Sequence, residues 1–119
     1  MTTYSLSTAA EDYNGWTNRE TWATALHFDN DEGTYRIRLD LMAQAREMAE
    51  ERDTEILTEE QSTRFYLADL LKDFVEDEAE RVTHDPENAS EWGRMMLSDV
   101  GSVWRVEWDE IARNYLSEG

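Results

Sequence analysis

Apolar residues recur at helical spacing along most of the chain, and polar breaks divide the pattern into about five helices. Trp22, Ala25 and Leu26 stand at i, i+3 and i+4 and give the first helix one apolar face. The run Thr17-Asn18-Arg19-Glu20 before them reads as a capping box, with the Thr17 hydroxyl accepting from the Glu20 amide. Asp29-Asn30-Asp31 is turn chemistry and closes this helix. Asn30 or Asp31 then caps a second helix running to about Arg52. Its apolar arc includes Tyr35, Leu39, Met42, Ala45 and Ala49, with Asp40, Glu47 and Glu51 opposite. Thr58-Glu59-Glu60-Gln61 is a second capping box. It opens the strongest helix, over 59–82, with Leu67, Leu70, Leu71, Phe74 and Val75 inward. Asp85-Pro86 reads as a cap followed by proline at the first helical position. The helix after it carries Trp92, Met95, Met96 and Val100, and Gly101 ends it. Val103-Trp104-Arg105-Val106 reads as extended, able to pair with Tyr4 and Leu6. A last helix over 107–117 buries Trp108, Ile111, Ala112, Tyr115 and Leu116.

These elements predict a mainly-α fold, a compact single domain of about five helices. A short strand pair between the N-terminal arm and residues 102–106 is compatible with the pattern. The polar, Ser- and Thr-rich residues 1–15 form the arm and residues 16–119 the helical domain. At 119 residues one domain is expected, able to bury about two-thirds of its unfolded surface. There is no internal repeat and no linker.

Charge changes the picture most. The chain has 11 Lys and Arg against 28 Asp and Glu, a net charge of −17. The acids are not a tail: residues 1–60 are net −9 and residues 61–119 net −8. Aromatic residues are spread along the same chain, so this is a folded acidic body rather than a disordered one. Such a surface argues against direct binding to nucleic acid or an anionic membrane. Ten of the eleven basic residues are Arg and only Lys72 is Lys. High-GC coding or adaptation to high salt would each produce that bias. There is no cysteine, hence no disulfide, thiolate nucleophile or zinc–thiolate site. No apolar run approaches the ~18 residues of a spanning helix. No signal peptide is visible, and a cytoplasmic location is expected.

Asn14-Gly15-Trp16-Thr17-Asn18-Arg19-Glu20-Thr21-Trp22, with Ala25-Leu26 and Asn30-Asp31-Glu32-Gly33 after it, carries a resemblance. It is similar to a family of small acidic proteins of phages, plasmids and haloarchaea that open on an N-G-aromatic-x-N-x-E-T-W motif and continue to an N-D-E-G turn. Trp108-Asp109-Glu110-Ile111-Ala112 resembles the C-terminal helix of that family. His27 stands where the family pattern carries tryptophan. The resemblance implies a mobile-element setting and no particular mechanism. The motif also has a plain structural reading, a helix start with Trp16 and Trp22 packed nearby.

Candidate chemistry is sparse. His27 and His84 have no second histidine at metal spacing and read as surface residues. Asp29 to Asp40 suggests a calcium loop, but counting from Asp29 puts Gly33 fifth and Thr34 sixth, so the glycine is out of register. There is no phosphate loop and no nucleophile elbow. Carboxylate pairs suited to acid–base catalysis do not stand out among so many acids. No enzyme, metal or cofactor is therefore expected. Glu78 projects onto the apolar side of its helix; either the helix frays before it or it meets an arginine such as Arg81 or Arg64, and pairing is expected because an unpaired buried carboxylate is costly.

The acidic helix face is the informative feature. Asp69, Asp73, Glu76 and Glu80 follow i, i+4, i+7, i+11, within about 60° of one another and opposite Leu67, Leu71 and Phe74. They span about 16 Å of helix. One DNA strand presents about five phosphates over that length. Such a row is either a solvated face or an imitation of a phosphate backbone. The expectation is a non-enzymatic anti-defence or regulatory protein of a phage or plasmid. It would occupy the basic groove of a nucleic-acid-binding protein such as a nuclease, restriction enzyme or CRISPR complex. Asp69, Asp73, Glu76 and Glu80 would carry the contact, with Glu47 and Glu51 second. Two alternatives stand beside it. One is a small acidic adaptor with a salt-adapted surface, working through exposed aromatics around Trp16, Trp92 or Trp104. The other is a hydrolase using acidic residues and a divalent metal.

Overall fold

The computed structural model describes residues 15–51 and 58–118. The helices are α1 (Arg19–Asn30), α2 (Glu32–Glu51), α3 (Glu59–His84), α4 (Glu91–Val100) and α5 (Trp108–Glu118), with short 3-10 turns at Pro86–Asn88 and Val103–Arg105. No strand occurs among the described residues. The proposed strand partners Tyr4 and Leu6 lie outside them, as does the arm apart from Gly15. The expectation of a mainly-α fold of about five helices holds for the described residues.

α2 and α3 form the most extensive helix pair. α3 is the central element, packing on α2, α4 and α5, while α1 lies across α2, α4 and α5. Leu67, Leu71 and Val75 of α3 are fully buried with Phe28, Met96, Ile111 and Tyr115. Phe28, Phe74 and Trp92 join α1, α3 and α4 in one aromatic cluster, with ring centroids 5.2–5.9 Å apart.

Several local expectations shift. Asn18, not Thr17, caps α1: its side chain accepts from the Thr21 amide at 2.8 Å. Thr17 instead gives its amide and hydroxyl to the Glu110 carboxylate of α5, at 3.0–3.2 Å. The buried residues of α1 are Thr21, Ala23, Thr24, Ala25 and Phe28, and Leu26 is exposed. On α2 the inward arc is Thr34, Arg38, Leu41, Met42, Ala45 and Ala49, and Tyr35 and Leu39 face out. The arc turns because Arg38 reaches Asp29 at 2.8 Å and sets its guanidinium carbon over the Tyr115 ring, 3.6 Å from the ring centre, where a cation is attracted by the ring face. Pro86 opens a 3-10 turn rather than α4; Ser90 caps α4, accepting from the Gly93 amide. Met95 is exposed on α4. Val103–Arg105 is a turn, not a strand, because α1 holds it through side chains.

Candidate functional site: the acidic face of α3

α3 is long because both its ends are chemically defined. Thr58 and Gln61 exchange two 3.0 Å hydrogen bonds in a full capping box. Arg81 and His84 stand in its last turn, where cations suit the helix dipole. At 26 residues it is about 39 Å long. With Leu67, Leu71 and Val75 turned into the core, Asp69, Asp73, Glu76 and Glu80 stand on the opposite face, and all four are exposed. None of them makes an ion pair among the described residues. Lys72 lies about 40° around the helix from Glu76, exposed and in no ion pair among the described residues, so α3 gives the row one flanking cation. Phe65, one turn before Asp69, extends the row with a ring that is 60% exposed.

Two acids beside this row, Asp77 and Glu78, are handled differently, whereas Glu59 and Glu60 in the first turn are exposed and make no ion pair among the described residues. Asp77 is bridged to Arg81 at 2.7 Å. Glu78 is buried, and its carboxylate accepts from Arg81 at 2.6 Å and from the Ser90 hydroxyl at 2.5 Å. Arg81 is thus the expected partner of Glu78; Arg64 pairs with Asp109 instead. The Ser90 contact had no sequence signal, because it depends on the loop that returns α4 against α3.

Glu47 and Glu51 are exposed on the outer side of α2, away from its buried arc. They stand on a different helix from the α3 row.

The motif at residues 14–22 forms a clasp in its described part. Besides the Thr17–Glu110 contact, Asn18 donates to the Arg105 carbonyl at 2.9 Å, and Thr21 accepts from the Glu107 amide at 2.9 Å. Glu20 lies 3.9 Å from Arg105. The clasp fixes the 103–107 segment, at whose turn Trp104 stands 82% exposed. Trp16 and Trp92 are half-buried against the core. His27 is not a free surface residue: its Nε2 lies 3.0 Å from Asp99, which also receives Arg19 at 2.9 Å. His84 is exposed. Asp99 carries no sequence signal, since only the packing of α4 on α1 brings it to His27.

Among the described residues, no three His, Asp or Glu side chains converge in a metal-holding group. No helix among them is long and apolar enough to cross a membrane. No curated protein and no solved structure matches the chain. One family model matches residues 9–114, and the chain belongs to that family, DUF7249, a family of unknown function.

Proposed function

We propose that the chain is a stoichiometric, non-enzymatic inhibitor from a phage or plasmid that acts as an acidic mimic of nucleic acid. Its α3 face occupies the basic groove of a host nucleic-acid-binding protein, a nuclease, restriction enzyme or CRISPR complex. The observation that carries this reading is the row of four exposed carboxylates that make no ion pair among the described residues, beside Asp77 and Glu78, which Arg81 pairs. Like charges at i, i+4 cost a helix a few tenths of a kcal/mol per pair. Retaining four carboxylates with Lys72 alone beside them on α3 fits a surface that receives most of its counter-charges from a partner. The resemblance to phage and plasmid proteins supplies the setting. Association is expected to be fast and salt-sensitive, because long-range charge steers it.

One observation favours a second reading, an adaptor that docks through an aromatic: Trp104 is 82% exposed on a clasped turn, and tryptophan is a frequent interface anchor. Capture from host lysate at about 0.15 M salt separates the two. The tagged baits are wild type, Asp69→Asn/Asp73→Asn/Glu76→Gln/Glu80→Gln, and Trp104→Ala. The mimic reading requires a nucleic-acid-binding protein that wild type retains, that duplex DNA displaces, and that the quadruple variant loses. A partner lost only by Trp104→Ala supports the adaptor. A partner retained equally by the quadruple variant sinks the mimic.

A further inference from the structure

A cavity of about 510 Å³ opens between the end of α1 and the start of α4, away from the outer face of α3. That volume lies within the range of ligand sites, roughly 300–1,000 Å³. One wall is Trp92, and its ring is fixed. The indole N–H donates to the His27 carbonyl at 2.9 Å, and the ring packs edge-on against Phe28 with centroids 5.2 Å apart. Met95 lies beside it, 56% exposed, an adaptable apolar surface. Asp31 and Glu91 line the same opening, are exposed, and make no ion pair among the described residues. Asn30 adds the C-terminal end of α1, which carries partial negative charge. The opposing dipole of α4 is met locally, by Ser90 on the Gly93 amide and by Glu91 in the first turn. No Arg or Lys lines the cavity.

We infer that this cavity is a receptor for a basic side chain, the guanidinium of an arginine presented by a protein partner. The planar cation stacks on Trp92, its donors meet Asp31 and Glu91, and its methylene stem lies on Met95. The site is separate from the α3 face and does not rest on the mimic reading.

The test uses the full-length, 15N-labelled protein at about 0.15 M salt, titrated with the capped peptide Gly-Arg-Gly. The same peptide with citrulline, a neutral isostere, is the control. The expected result is a saturable shift of the Trp92 indole signal and of the Glu91–Met95 amides with the arginine peptide alone. Asp31→Asn/Glu91→Gln is expected to weaken that binding about fivefold, while Asp69→Asn/Asp73→Asn/Glu76→Gln/Glu80→Gln leaves it unchanged. Asp31 and Glu91 are exposed, so their variant keeps the fold, and an unchanged Trp92 indole position without peptide checks this. The inference is overturned if citrulline serves as well, if the shifts scatter without saturation, or if the double variant binds like wild type. It is equally overturned if the quadruple variant alone abolishes the response, which would place the arginine on α3.

Discussion

Gly93 shows how much of this molecule rests on single contacts. A Cβ there would stand 3.1 Å from both the Glu78 carboxylate and the Ser90 hydroxyl. Neither neighbour can yield easily, because they hold one another at 2.5 Å and Ser90 also caps α4. Alanine would gain about 1 kcal/mol of helix propensity but incur an overpacking cost of about 1–3 kcal/mol. Gly93→Ala is therefore expected to lower stability by about 1 kcal/mol in urea unfolding; a gain would mean that α3 and α4 are not locked at this crossing. At the other end, Asn18 has two tasks, capping α1 and holding the Arg105 carbonyl. Asn18→Ala is expected to lose about 1–2 kcal/mol, and faster hydrogen exchange around Trp104 would identify the clasp as the part that opens.

Each helix divides into what local chemistry decides and what packing decides. The α3 row belongs to the first kind, and its stability effect follows directly. Neutralising Asp69, Asp73, Glu76 and Glu80 together should stabilise the chain by about 0.5 kcal/mol, the loss of attraction to Lys72 offsetting part of the relief. A raised melting temperature with unchanged helical circular dichroism is the expected result, and a lowered one would mean the row contributes to the fold. Helix starts and stops were legible in the sequence where they depend on neighbours in the chain. Thr58 with Gln61, the Asp29–Asp31 break and Gly101 at φ 75° are such cases. Faces were less so. The arc of α2 depends on Arg38 meeting Asp29 and Tyr115, and the choice of Asn18 over Thr17 depends on Glu110, far along the chain. The candidate face on α3 could be read because its four residues share one period. Which acids would be neutralised could be read only in part: Glu78 with Arg81 follows from i, i+3 spacing, whereas Ser90 and Asp99 required the fold.

For the whole molecule the net charge of −17 dominates. Self-repulsion at low ionic strength falls as the screening length drops from about 30 Å at 0.01 M salt to about 8 Å at 0.15 M. The melting temperature should rise by about 5 °C over that interval and then level off. A chain that stays unfolded below molar salt would instead have a salt-adapted surface, and the charge would need no partner to explain it. The clasp adds a consequence for the order of folding. Thr17 and Thr21 take their partners from Glu110 and Glu107, and α3 completes its packing only with α5. The starts of α1 and α5, joined by a contact between residues 93 apart in the chain, must therefore be present together before either is anchored, and such non-local closure slows folding. A chain cut before residue 107 would display the α3 charge without the scaffold that holds it.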